Sequence, residues 1–286
     1  MSIGAGFLII VMNALAKKAA EFHAPIEIVF YRGLVAMICL LAFIAIQKRP
    51  HFYKTSRLKA HFSRALIGNF GVLVVFWSYK LLPMADVTAL LFSAPLIVTL
   101  LSAVVLKEQV GLYRWLAVIT GFTGVLLIIG PSTSSMTGYT ALVPLMASFS
   151  TALVAIFLRN LGRTEDSITT VFYFLLFGVL FSGIYMLFKG DLPAPSAIDL
   201  LIGVGVAAFV QLVLKTESYR LAEASLLSPF AYIMLIWAIL IGWIFWGDIP
   251  SIWVLAGAAV IVISNLFITW RENKKKTHLA TEATTP

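Results

Sequence analysis

The stretch "SYKLLPMADVTALLFSAPLIVTLLSAVVLKE", residues 78–108, has a counterpart 140 residues later in "SYRLAEASLLSPFAYIMLIWAILIGWIFWGD", residues 218–248. The two align without a gap. Tyr79-Lys80-Leu81 falls on Tyr219-Arg220-Leu221, Thr88 on Ser228, Phe92 on Tyr232 and Glu108 on Asp248. The register continues, so that the apolar run from Leu112 meets the run from Ile252. Apolar runs match one another by chance, but an aromatic-basic pair followed by an acid at fixed spacing is a stronger sign of duplication. Within each copy the apolar run is about 20 residues long, enough to cross ~30 Å of hydrocarbon at ~1.5 Å per residue.

Working outward, ten such runs are marked: Ile3–Ala16, Ile28–Ile46, Phe62–Tyr79, Val87–Leu106, Leu112–Ile129, Thr140–Leu158, Ile168–Phe188, Ala197–Leu214, Ala224–Trp246 and Ile252–Trp270. Their connectors are short and carry turn residues or charge. With 60% apolar and 12% charged residues and a mean hydropathy of +0.97, the chain has too little charge to solvate a soluble domain of its 286 residues. The expectation is an all-α integral membrane protein of ten transmembrane helices, arranged as repeats over 1–130 and 138–270 and followed by a disordered tail, 271–286. Five crossings per repeat is odd, so the second repeat enters from the opposite side and the two are inverted. Transporters built this way bind substrate between the repeats near the midplane. The first run is short. As a signal peptide it lacks a basic n-region and a small-residue cleavage site, so it reads as a short first span, with a start upstream of Met1 left open.

Lys and Arg set the orientation. With the N-terminus inside, sixteen fall on inner connectors and the tail, Arg64 among them, against four outside: Lys17, Lys18, Lys80 and Lys189. Both termini are therefore expected in the cytoplasm. The same scatter over loops excludes a nucleic-acid partner, because no single face gathers the net charge of +8. Cys39 is the single cysteine, so there is no disulfide. Neither a Walker-type Gly-Lys-Ser/Thr loop nor a metal-ligand spacing of the four histidines occurs.

Thr88, Phe92, Pro95, Thr99 and Ser102 follow helical spacing down the fourth run and form one stripe. Pro95 cannot donate to the Leu91 carbonyl, which predicts a kink. Freed backbone at membrane depth lines a wet cavity or is met by protein. Cavity lining is preferred here over small residues that merely allow packing. The ninth run carries the matching Ser228, Tyr232, Leu235, Ile239 and Gly242. Ser148 and Thr151 share a face of the sixth run with Pro144. Asn13 must face the bundle interior, whether toward substrate or a neighbouring helix. Arg32 can hold an anionic group of substrate, although a structural pair with Glu27 or Asp86 is slightly preferred. Gln211 faces the same way as Lys215 and Ser218. Trp77, Tyr79, Phe92, Tyr173, Tyr232 and Trp237 are candidates to stack on a planar ligand. Trp115, Trp246, Trp253 and Trp270 read as interfacial anchors. Tyr79 and Tyr219 are expected near an outer and an inner gate. Glu217 is the first candidate for proton coupling, against a plain solvated charge. Glu108 and Asp248 are expected to stabilise helix starts. The glycines of "GFTG" and the run "AGAA" (256–259) read as helix–helix contacts.

On "MNALAKKAA", "EIVFYRGLVAM", "YKLLPMADVTALLFSAPLIVTLLSAVVLKEQVGLYRWLAVITGFTGVLLI" and "SLLSPFAYIMLIWAILIGWIFWGDIPSIWVLAGAAVIVISN", the chain resembles the two EamA repeats of the drug/metabolite transporter superfamily over residues 1–270. It departs where "WGD" stands for the usual Gly-Glu and where Leu235 matches Pro95. The resemblance implies a ten-helix bundle and alternating-access movement of small metabolites, with the first half nearest to members linked to riboflavin or S-adenosylmethionine. The reading is thus a secondary transporter of a small organic metabolite, riboflavin, S-adenosylmethionine or another aromatic or amphipathic compound, in the cell inner membrane. It needs no cofactor; a proton or counter-substrate as coupling partner and the oligomeric state stay open. An amino-acid or drug exporter of the same fold is the alternative. An intramembrane lipid-modifying enzyme would cluster Asp, His or Arg at one face, and a membrane chaperone or sensor would carry a soluble domain. The sequence offers neither.

Overall fold

The computed structural model describes residues 2–48, 52–104, 111–129, 140–162, 164–190, 192–221 and 232–284. They fold into eleven helices: α1 (Ser2–Ala19), α2 (Pro25–Ile46), α3 (Leu58–Leu81), α4 (Met84–Leu91), α5 (Ala94–Val104), α6 (Leu112–Ile129), α7 (Leu142–Leu161), α8 (Ser167–Lys189), α9 (Ile198–Leu221), α10 (Ile233–Trp246) and α11 (Ile252–Thr284). A 3₁₀ turn, Pro195–Ala197, leads into α9, and no strand occurs among the described residues. Six spans have the length and apolar character to cross a membrane: Pro25–Ile46, Leu58–Leu81, Met84–Ala103, Leu112–Ile129, Ser167–Lys189 and Ile252–Arg271. Leu142–Leu158, Ile198–Leu214 and Ile233–Trp246 are apolar but shorter.

The exterior is as greasy as the interior. Leu112, Trp115, Leu116 and Ile119 of α6 and Ile236, Leu240, Trp243 and Ile244 of α10 are exposed at helical spacing. Water would not support such stripes, whereas hydrocarbon does. Trp253 and Trp270 are exposed in the way interfacial anchors are.

Most strong pairings join a helix before residue 130 to one after 140. α1 packs on α9 and α10, α2 on α8 and α9, α3 on α7 and α8, α4 and α5 on α7, α4 on α10, and α6 on α11. The α6–α11 contact is a backbone contact. A Cβ on Gly257 would stand 2.5 Å from the Gly124 carbonyl oxygen, and one on Gly124 would stand 2.7 Å from the Gly257 oxygen. Only glycine at both positions allows this crossing, which the glycine runs foretold.

Two expectations change. The fourth run is not one helix: it breaks between α4 and α5 at Phe92-Ser93. The tail read as disordered instead prolongs α11 to Thr284. Glu108, Ser228 and Pro229 lie outside the described residues, as do the side chains of Lys215, Glu217, Ser218 and Tyr219 near the end of α9.

Candidate functional site

The break in the fourth run follows from Pro95, which has no N–H for the Leu91 carbonyl and whose ring crowds the preceding turn. The ladder ends with Phe92 N–H shared between Thr88 O (3.3 Å) and Ala89 O (3.2 Å) and restarts with Ile97 N–H on Ser93 O at 3.1 Å. Two of the carbonyls released in between, those of Leu90 and Phe92, gain side-chain donors. Leu90 O accepts from Ser93 N–H at 3.0 Å and from Ser93 Oγ at 2.7 Å, and it shares the one proton of Ser148 Oγ of α7, at 3.1 Å, with Pro144 O at 3.0 Å. Phe92 O accepts from Asn265 Nδ2 of α11 at 2.9 Å. Tyr232 stands edge-on to Phe92 with ring centroids 5.2 Å apart. Irregular backbone is tolerated at such depth only where protein or a wet cavity satisfies it.

A relay of hydroxyls lies N-terminal to the break. Thr88 Oγ1 gives its one proton to Met84 O at 2.8 Å, so at the 3.0 Å contact with Tyr79 the phenol is the donor. Asn13 Nδ2 donates in turn to the Tyr79 oxygen at 3.3 Å. Asn13, Tyr79 and Thr88 thus tie α1, α3 and α4 together, with Tyr79 fully buried. Asn13 Oδ1 and Trp237 Nε1 stay buried without a partner. Trp237 packs on the apolar cluster that contains Tyr79, Met84 and Val87. The unused amide acceptor of Asn13 and the unused indole donor of Trp237, whose ring stands edge-on to Phe7 at 5.0 Å, are groups that a polar, partly planar molecule can engage.

Just beyond this relay, the ends of α1, α3 and α10 meet. Lys17 Nζ reaches Asp248 Oδ2 at 3.1 Å and Leu82 O at 3.5 Å, and it sits 4.8 Å from the Trp246 ring centroid. Asp248 is therefore an ion-pair partner rather than a helix-start charge, and Trp246 is a packed wall rather than an interfacial anchor. Two buried His–Glu contacts lie elsewhere. His23 Nε2 accepts from Ala194 N–H at 3.2 Å. Its Nδ1 then carries the proton to Glu27 Oε2 at 3.0 Å. His61 Nε2 lies 3.3 Å from Glu165 Oε2.

Of the residues singled out from sequence, Asn13, Tyr79, Thr88, Phe92, Ser148, Tyr232 and Trp237 come together around α4 and the break. Gln211 is buried on α9. Others do not join. Trp77 is 48% exposed. Pro95 and Thr151 are exposed, and Thr99 and Thr151 return their hydroxyls to Pro95 O and Ala147 O of their own helices. Ser102, the last residue of the expected stripe, is buried on α5. Tyr173 belongs to a separate stack, its hydroxyl on Tyr53 O at 2.7 Å and its ring 4.9 Å from His61. Arg32 pairs with neither Glu27, which serves His23 and the Ala24 N–H, nor Asp86, and it has no hydrogen bond. Arg64, counted as a connector charge, is buried on α3. Sequence reasoning also missed Asn265 and Ser93, for which a polar residue in an apolar run was the available signal.

The EamA-like transporter family model matches residues 1–130 and 138–270. The chain belongs to the EamA-like transporter family. This EamA-like chain is a small-molecule transporter and a multi-pass membrane protein. It is 29% identical over 275 residues to a riboflavin transporter of Vibrio cholerae, covering 95% of this chain and 92% of the relative. With a pseudopaline exporter, CntI, of Pseudomonas aeruginosa it shares 26% over 267 residues, covering 92% and 93%. The human solute carrier family 35 member G1 is 24% identical over 91% of this chain and 75% of its own. A solved crystal structure superposes with a TM-score of 0.65 at 15% identity, over 96% of this chain and 98% of that one, which speaks to the fold alone.

Proposed function

We propose that the chain carries a small organic metabolite through the cytoplasmic membrane by alternating access of two inverted five-helix repeats, 1–130 and 138–270. The ten crossings are α1, α2, α3, the broken α4–α5, α6, α7, α8, α9, α10 with the segment before it, and α11. Both termini lie in the cytoplasm. The observation that carries the reading is the symmetry of the helix pairings. Exchanging α1 with α7, α2 with α8, α3 with α9, α4–α5 with α10 and α6 with α11 turns the α1–α9 contact into α7–α3 and α2–α9 into α8–α3. It turns α1–α10 into α7–α4/α5, and it returns α2–α8, α4–α10 and α6–α11 to themselves. Two halves related by an axis in the membrane plane pack in this way.

In this reading Lys17–Asp248 and the Asn13–Tyr79–Thr88 relay close the outer side, and rocking of the halves opens it. The cargo sits beside Phe92, Tyr232 and Trp237. Its chemical range is bounded by the relatives, a riboflavin transporter and a pseudopaline exporter, and riboflavin, S-adenosylmethionine and other aromatic or amphipathic metabolites are the first to test. Proteoliposomes of purified protein, given radiolabelled riboflavin, S-adenosylmethionine or tryptophan with and without a pH gradient, decide. Accumulation of one compound that is lost in Tyr232→Ala and kept in Trp270→Ala fits the reading. Transport unaffected by Tyr232→Ala removes the cavity.

A further inference from the structure

Deep inside the bundle are two arginines with no counter-charge among the described residues. Arg32 on α2 is 5% exposed and Arg64 on α3 is 8% exposed. Among the described residues neither makes an ion pair or a hydrogen bond, and Arg32 Nε, Arg64 Nε and Arg64 Nη1 are sealed from solvent without a partner. The buried carboxylates do not serve them: Glu27 accepts from His23 and Ala24, Glu165 from His61, and buried Asp86 forms no ion pair with either arginine. Arg64 has only the face of Phe174 on α8, 4.1 Å from its guanidinium carbon. That close approach depends on Gly68, where a Cβ would stand 3.0 Å from the same ring.

The two positions lie on the consecutive helices α2 and α3, which pack on each other and both on α8. Consecutive crossings run antiparallel, so the two meet on α8 rather than at matching distances from a helix start. A Cβ on Gly33, next to Arg32, would stand 3.0 Å from Val179, and Arg64 lies on Phe174, five residues or about 7 Å away along the same helix. A lone buried guanidinium is among the costliest groups a membrane bundle can hold, and two near each other are worse. Guanidinium does not escape by losing its proton. A planar fork of free N–H donors is, however, the side chain best matched to a carboxylate or phosphate.

We infer that Arg32 and Arg64 are the anion subsite of the transported molecule, so that the cargo bears a carboxylate or phosphate group held between α2, α3 and α8. The inference rests on the transport reading and narrows it. Riboflavin itself carries no such group, whereas its phosphate ester and organic acids do. Bound anion neutralises the two charges, and the empty site carries an electrostatic penalty that keeps the carrier from resting there.

The test is binding, so it is read independently of transport. The full chain is purified in detergent, and its thermal unfolding midpoint is followed against inorganic phosphate or succinate, with chloride holding ionic strength constant. The midpoint is expected to rise with either anion. In Arg32→Gln and in Arg64→Gln the half-saturating concentration is expected to rise about tenfold to a hundredfold, the loss of one charge-assisted contact. Arg64→Lys keeps the charge without the fork and falls in between. Exposed Lys59→Gln is expected to respond as wild type does. Because each Gln variant removes an unpaired charge, its ligand-free midpoint is expected to be no lower than that of wild type. A structural role would instead lower it. A wild-type midpoint indifferent to both anions, or a response undiminished in Arg32→Gln/Arg64→Gln, overturns the inference. So does a response to short-chain phosphatidylglycerol alone, which would assign the site to a lipid headgroup. Uptake in proteoliposomes with no anion response would leave the transport reading standing and remove only the subsite.

Discussion

Tyr79 shows how much hangs on one oxygen. Its hydroxyl accepts from Asn13 and donates to Thr88, whose own proton is spent on Met84 O, so one atom joins three helices. Tyr79→Phe keeps the ring and leaves Asn13 without any partner. The expected cost is about 1 kcal/mol of stability, read as a lower unfolding midpoint, with uptake falling about tenfold, the rate equivalent of ~1.4 kcal/mol. Trp77→Ala, two residues earlier but facing outward, is expected to leave uptake within about twofold, since surface changes away from such contacts cost under ~0.5 kcal/mol. Sequence alone marked both aromatics as cavity candidates. It could not separate them, because a run that is apolar all round a helix carries no period to say which side is in. The polar exceptions were better guides: Asn13 and Thr88 could be placed inward on cost alone. Arg64 misled because it stands among connector charges, and only packing shows that α3 has already begun at Leu58.

At the scale of the element, α4–α5 is the part of the fold most specific to function. Pro95 announced an interruption, and the stripe through Thr88 and Phe92 announced its importance. The extent of the break depended on partners more than 50 residues away in sequence: Ser148 58 residues from Leu90, and Asn265 173 from Phe92. No local pattern contains them. Asn265→Leu leaves the Phe92 carbonyl without its side-chain donor and is expected to cost about 1–3 kcal/mol. Asn265→Ser keeps a donor but loses the reach, so it is expected not to restore the contact. Thermal unfolding in detergent measures the loss, and uptake is expected to fall with it. The α6–α11 crossing is the complementary case, since small residues in both runs made it readable in advance. Gly257→Val pushes a side chain onto the Gly124 carbonyl and is expected to cost about 1–3 kcal/mol or prevent folding, whereas Gly111→Ala meets nothing within 4 Å and is expected to be silent. Monodispersity on size-exclusion chromatography after heating distinguishes the two.

For the whole molecule, the duplicated string at 78–108 and 218–248 foretold more than any single residue did. It gave the offset, and the offset gave the exchange of helices that the packing obeys, from α1–α9 with α3–α7 to the self-paired α6–α11. What the duplication does not contain is the state of the carrier, because two related halves are equally consistent with either side being closed. In the proposed reading the contacts at the ends of α1, α3 and α10 close one side: Lys17 holds Asp248 at 3.1 Å and touches Leu82 O. The central claim is that these groups part and rejoin in every transport cycle. The measurement that tests it most directly uses Lys17→Cys/Asp248→Cys in a Cys39→Ala background, reconstituted into proteoliposomes and treated with a short, cleavable bifunctional thiol reagent. Alternating access predicts that uptake stops on cross-linking and returns when the linker is cleaved, while either single-cysteine protein is unaffected by the same treatment. Undiminished uptake by fully cross-linked protein would contradict the account.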